Sequence, residues 1–291
     1  MTGAPVAKAS EAEMSGNPRD PVLIVLWILL VAVAIAWIAP FVFILFTAAK
    51  DSAQIMTTSA FAPPTGIASE NFTGAWERGN FSETFFNSTI ITVIKVPLGL
   101  MLSAMAAYAL SKIRMRWGKA ILVFVLLGAM IPFQVMLAPL FTLVNSLGLI
   151  DTYVGIILPY LAFGVPFQVF ILHGFFNAIP KEISEAALID GASHFTAFRR
   201  VFLPISLPVL AALLILDFVA TWNEFAMALV ILQDKHMWTL PLGLMSFQGQ
   251  FSSEYGQLNA AIVMTVIPAV IVYLIFQRYF VSGLTSGAVK G

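Results

Sequence analysis

Residues 180–208, PKEISEAALIDGASHFTAFRRVFLPISLP, are the one long polar and charged interruption in the apolar second half of the chain. Hydrophobic runs long enough to cross a bilayer flank them on both sides. The first part reads as a short amphipathic helix with both ends marked. Pro180 fits the first helical position, and Gly191 fits the residue just past the end. Glu182 suits the positive end of the helix dipole. Ile183, Ala186, Ala187 and Asp190 recur at helical spacing, so one face is small and mostly apolar. At ~1.5 Å per residue such a helix is roughly 15 Å long, too short to span a membrane. A second short helix begins at Ser193, with Phe195, Phe198 and Phe202 near one side. Arg199 and Arg200 are free to meet water or lipid phosphate, and Leu203-Pro204 and Leu207-Pro208 end that helix and start the next span.

The composition agrees with a membrane setting. The 291 residues are 59% hydrophobic and 10% charged, where a soluble domain carries about a quarter charged residues. A net charge of zero argues against nucleic acid as a partner. The absence of cysteine excludes disulfides, thiolate metal sites and cysteine nucleophiles. His173, His194 and His236 are far apart and form no metal-ligand spacing. The chain has no glycine-rich loop ending in Gly-Lys-Ser/Thr, so it offers nothing of that type to hydrolyse ATP.

Six apolar spans are expected, at 22–46, 87–110, 120–140, 153–176, 209–232 and 258–280. They form one transmembrane domain, 22–282, between a polar tail (1–21) and a Gly-rich tail (283–291). An Ala-Ile-Ala triplet at 34–36 sits inside the first run, which reads as a retained anchor. Phe72 and Trp76, in the loop after it, are placed to fold back on the membrane face. The Asn71-Phe72-Thr73 acceptor triplet there carries no weight, being common by chance. Lys112, Arg114, Arg116 and Lys119 form an acid-free cluster after the second span. Counted over six spans, eleven of the fifteen Lys and Arg fall on the side of the termini and three on the other. The positive-inside rule then makes both termini and the loop 178–208 cytoplasmic, and puts the loop 233–257 outside.

Several polar residues lie within the spans. Lys95 is about two turns from the polar side of the second span, where it can snorkel. Asp217 and Glu224 are seven apart and share a helix face. Carboxylates in a membrane usually face a cavity or a partner, although Asp217 can equally serve packing. Gln134 and Gln168 either line a path or bond across helices.

The stretch EAALIDGASHFTAFRRVFLP resembles the EAA loop of bacterial ABC importer permeases. Glu185, Ala186, Ala187, Asp190, Gly191, Phe202, Leu203 and Pro204 stand at the positions of that pattern. Trp222-Asn223-Glu224-Phe225 looks like the W-N-[DE]-F box of sugar permeases, and 238–249, WTLPLGLMSFQG, like the outer loop after it. The ending GLTSGAVKG is similar to that of maltose- and trehalose-type subunits.

The resemblance implies an all-α polytopic membrane protein with six transmembrane helices, like a type I ABC importer permease. It would sit in the bacterial plasma (inner) membrane as one of two permeases around a central carbohydrate path, surrounded by lipid. Two ATPase subunits would use ATP and Mg, and an extracytoplasmic sugar-binding protein would dock outside; this chain would bind no cofactor and catalyse no reaction. The EAA helix would act as a lever on an ATPase. Ala186 and Ala187 would allow close approach, Glu185 a charged contact, and Gly191 a turn with positive φ. Trp222, Asn223 and Glu224 are the right types to line a sugar path. Ser246, Phe247, Gln248, Gly249 and Gln250 would enter the cleft of the binding protein. Other readings remain: a permease for a polyol or glycerol phosphate, a proton-driven secondary transporter, or a membrane-embedded enzyme. A phosphate cargo demands cationic path residues, and only Lys95 lies in the spans.

Overall fold

The computed structural model describes residues 21–247 and 254–288, with side chains as far as Gln277. Every regular element among them is helical. In chain order they are α1 (Pro21–Ala49), α2 (Ser52–Thr57), α3 (Ser69–Arg78), α4 (Phe81–Lys112), α5 (Gly118–Ala129), α6 (Phe133–Ser146) and α7 (Tyr153–Ala178). There follow α8 (Lys181–Ile189), α9 (His194–Ala197), α10 (Leu203–Ile205), α11 (Leu207–Trp222), α12 (Ala226–Ile231), α13 (Leu240–Gly243) and α14 (Tyr255–Ala288). A π turn, Phe198–Phe202, joins α9 to α10.

Length and hydropathy decide which helices cross a bilayer. α1, α4, α7 and the Tyr255–Gln277 part of α14 are each long and apolar enough alone. α5 with α6, and His194–Ile205 with α11, are pairs bent by 95° and 75°, which makes six crossings if each pair is one span. α1 leans on α14, meets α3 near its C-terminal end and is exposed over most of its length, with Trp37 74% exposed. Water would not tolerate so much apolar surface, but lipid is its equal in polarity.

Helix association in lipid relies on close packing, and α4 meets α7 over the longest contact. Gly99, Ser103, Ala104 and Ala107 are buried on α4, and such small residues let two backbones approach. Three apolar clusters follow along the bundle. One surrounds Ile156, Tyr160 and Ile231, one Tyr108, Phe176 and Phe202, and one Ala48, Phe81 and Trp222.

The structure departs from the sequence expectation at several points. The 120–140 run is a bent pair of helices rather than one continuous helix, because α5 stops at Ala129 and α6 starts after Pro132, whose ψ is 121°. Proline has no N–H to donate and biases Ile131 before it away from helix. The 209–232 run also breaks, between Trp222 and Ala226. α4 begins at Phe81, ahead of the expected start at 87. α14 carries on to Ala288, so the expected tail is helical up to that point. Glycines at 283 and 287 cost about 1 kcal/mol each, which a long helix absorbs. The expected N-terminal tail before Pro21 and residues 289–291 lie outside the described residues. Phe72 and Trp76 both touch protein, and Trp76 stays 46% exposed. Phe72 joins the Ala48 cluster, and Trp76 stacks on Phe81 and donates to Ser82 at 3.1 Å. Asn71 is buried, with its amide donating to the carbonyls of Ala48 and Lys50 at 2.9 and 2.7 Å.

Candidate functional site

The two helix breaks meet. Met130, Ile131, Pro132 and Gln134 from the first, and Thr221 and Glu224 from the second, line one cavity of about 450 Å³. Irregular backbone at membrane depth is tolerated where it lines a cavity, because water or solute satisfies the freed groups. Lys95, Tyr160, Gly164 and Asp217 complete the polar side.

Lys95 does not snorkel. Its side chain is 4% exposed and forms an ion pair with Asp217, 8% exposed, tying α4 to α11. Taking both charges out of water costs several kcal/mol per ion, so neither stands there without the other. One glycine makes the room. A Cβ on Gly164 of α7 would lie 3.0 Å from Lys95 Nζ. Sequence reading singled out both ionic residues but not their partnership. The available signal was one cation and one carboxylate, each about two turns inside an apolar span.

Glu224 has both carboxylate oxygens committed. Oε1 accepts from Met227 N at 2.7 Å, and Oε2 accepts from Ala228 N at 3.0 Å and from the Tyr160 hydroxyl at 2.5 Å. It therefore caps α12 and satisfies N–H groups that the break would orphan. Asp217 and Glu224 do not share a continuous helix, since α11 ends between them, yet both reach the cavity. Trp222 points away from it. It is buried, donates Nε1 to the Thr265 carbonyl at 2.9 Å and stacks on Phe218 at 5.4 Å. Asn223 is exposed and bonds back to the Val219 carbonyl at 2.9 Å. Gln134 lines the cavity from the first turn of α6. Gln168 is buried on α7, accepts from Ser103 Oγ at 2.8 Å and lines a second cavity of about 350 Å³. Asp217 borders both cavities. Tyr160 and Thr221 were missed, because an ordinary hydroxyl in an apolar run gives no sequence signal.

The stretch that opens the sequence reading lies at one end of these helices. α8 starts one residue later than expected, with Pro180 as its N-cap. It stops as a Schellman turn. Gly191 has φ +81°, Ala192 N donates to Ala187 O at 3.0 Å, and Gly191 N donates to Leu188 O at 3.1 Å. Glu185, Ala186 and Asp190 are exposed, Ala187 is half-buried, and Ile189 is 85% exposed. The root is firm. Ser193 caps α9 through Thr196 N, and Pro204 forces a wider turn since it cannot donate to the Arg200 carbonyl. Phe198 and Phe202 are buried against Tyr108, with ring centroids 5.4 and 5.0 Å away, whereas Phe195 is exposed. Leu203 and Pro204 lie at the junction that leads into α11.

At the opposite end, Arg78 holds the start of the last loop. Its Nε donates to the Ser246 carbonyl at 3.0 Å, its guanidinium lies 5.6 Å from the buried Phe247 ring, and it pairs with Glu254. Gln248, Gly249 and Gln250 lie outside the described residues. Asn87 binds the carbonyls of His236 and Trp238 at 2.8 and 3.0 Å and accepts from the Tyr153 hydroxyl at 2.6 Å.

Comparison with known proteins gives concordant matches. Residues 95–286 match the model for the binding-protein-dependent transport system inner membrane component. The probable ABC transporter permease protein YurM of Bacillus subtilis (strain 168) is 38% identical over 265 residues, covering 91% of this chain and 88% of that one. The diacetylchitobiose uptake system permease protein NgcG of Streptomyces coelicolor is 34% identical over 270 residues, covering 92% and 87%. Among solved structures, a bacterial ABC transporter involved in the import of the acidic polysaccharide alginate aligns with TM-score 0.79 and 25% identity, over 89% of this chain and 96% of that one.

Proposed function

This chain belongs to the family of binding-protein-dependent transport system inner membrane components, and from that premise we propose that it is a permease subunit of an ATP-driven sugar importer. One observation carries the reading. The exposed helix α8 is rooted, through Phe198 and Phe202, on α4 and α7, and these same helices bring Lys95 and Tyr160 to the cavity. In this reading a displacement of α8 passes through the turn at Gly191 to α9 and the packed Phe198 and Phe202, and so to the helices of the cavity wall. The sugar uptake named for the relatives supports a carbohydrate cargo.

In this reading the chain forms half of the path, with a second permease forming the other half. Glu185, Ala186, Ala187, Asp190 and Gly191 meet an ATPase subunit, one of two that use ATP and Mg. An extracytoplasmic binding protein delivers the sugar at the end that carries Arg78. The basic cluster 112–119 and α8 face the cytoplasm, as do both termini, across a bacterial inner membrane. Lys95 is neutralised by Asp217, which removes the one cation a phosphate cargo would need.

The test is uptake of radiolabelled sugars by cells carrying the complete importer, with ATP depleted or the proton gradient collapsed separately. Uptake should stop with ATP depletion and survive loss of the gradient. The opposite pattern would mark a proton-driven carrier.

A further inference from the structure

Resting on the importer reading, we infer that Asp217 and Thr221, with Lys95 behind them, are the solute-recognition point of this subunit, and that they select a neutral, hydroxyl-rich solute over one bearing a carboxylate, sulfonate or phosphate. Among the described residues, Asp217 Oδ2 and Thr221 Oγ1 are buried polar atoms without a hydrogen-bond partner. Both residues are only 8% exposed and both line the 450 Å³ cavity. Folded proteins leave few such atoms unpaired, and each asks for an explanation. The two are four residues apart on α11, so they lie on one face, one above the other.

Position adds to this. Asp217, with Phe163, Gly164 and Ala220, borders both the 450 and the 350 Å³ cavities. Asp217 and Phe163 thus belong to the wall that the two cavities share. A sugar presents that combination in reverse, with hydroxyl donors at its rim and C–H faces between them.

Charge sets the class of solute. The charged groups lining the larger cavity are Lys95, Asp217 and Glu224, one cation against two carboxylates. The cation is already paired and Glu224 is committed to the α12 cap. The free carboxylate oxygen takes a hydrogen-bond donor and repels an anion. Glu224, the residue that sequence alone favours, is therefore an organiser of the cavity rather than its free acceptor. A site that hydrogen-bonds a hydroxyl discriminates strongly against analogues that leave its buried group unpaired.

The complete importer, reconstituted in nanodiscs without its binding protein, allows a direct test by saturation-transfer NMR. The probes are trehalose, cellobiose, diacetylchitobiose and cellobiouronic acid. Thr221→Val keeps the ion pair and the side-chain shape, and Lys95→Met with Asp217→Leu replaces the pair by apolar groups of similar size. At least one neutral probe should bind the wild type, about fivefold more weakly to Thr221→Val, a loss typical of one hydrogen bond. The double variant should bind it at least about tenfold more weakly, and the uronate should give no signal. Wild-type-like binding by Thr221→Val and the double variant, or equal binding of the uronate, would overturn the inference. Thr221→Val carries the test alone if the double variant fails to assemble. A wild-type importer that takes up none of the neutral sugars in cells would instead remove the sugar reading itself.

Discussion

The Tyr160 hydroxyl and the Glu224 carboxylate meet at 2.5 Å, joining α7 to the break that follows α11. The same carboxylate receives two N–H groups of α12. Removing Tyr160's donor with Tyr160→Phe should lower the stability of the purified complex by about 1–2 kcal/mol. Glu224→Ala abandons two helix-end N–H groups and a buried hydroxyl, so its loss should be larger, about 3 kcal/mol. Thermal unfolding in detergent measures both. Equal melting of the two variants would show that the cap contributes nothing.

Gly191 stands at φ +81°, and among the described residues none beyond its chain neighbours comes within 4 Å of where a Cβ would be. Substitution there strains the backbone without a clash, at roughly 1–2 kcal/mol for an ordinary residue. Asn, which tolerates this conformation, should retain most uptake, whereas Val should abolish it with the complex still in the membrane. ATP hydrolysis in the Val variant should continue without transport. Uptake by Val equal to that by Asn would contradict the lever role of α8.

Asn87 is buried and makes three hydrogen bonds, to the carbonyls of His236 and Trp238 and from Tyr153. Its replacement by Ala leaves these groups unpaired and should cost about 2–3 kcal/mol. Hydrogen exchange should rise at residues 233–240 before it rises elsewhere. Unchanged exchange there would mean that other contacts hold the segment.

His236 lies on the exposed segment after α12, with Nδ1 2.9 Å from Glu83. That hydrogen bond, then the charges of Glu83 and Asp234, raise its pKa above the usual histidine value. The contact is thus complete below about pH 6.5, the unperturbed value, and is lost as pH rises through the raised one. NMR titration of labelled histidine should show the raised midpoint, and Glu83→Gln should bring it down. A midpoint indifferent to Glu83→Gln would show that the carboxylate does not hold the imidazolium.

The parts legible from sequence are those set by neighbours along the chain. Apolar run lengths announced a helical membrane protein, and Gly191 marked the end of α8 because only glycine accepts that backbone cheaply. Pro132 was visible as a residue, but its effect was underestimated, since a proline in a span can kink or break it. Trp222 looked like a path residue because its chemistry suits a sugar. Its direction from α11 turns it toward Thr265 of α14, whereas Asn223 just after the helix stays exposed.

Sequence by itself determined the helical membrane class and the end of α8 at Gly191, because periodicity, hydropathy and capping act within a few residues. Tertiary structure alone decided that Lys95 meets Asp217 across 122 residues, and that Glu224 is a cap while one Asp217 oxygen has no partner among the described residues. The reason is physical. A buried charge or hydroxyl takes its role from whichever group packing brings within about 3 Å, and no local pattern encodes that neighbour.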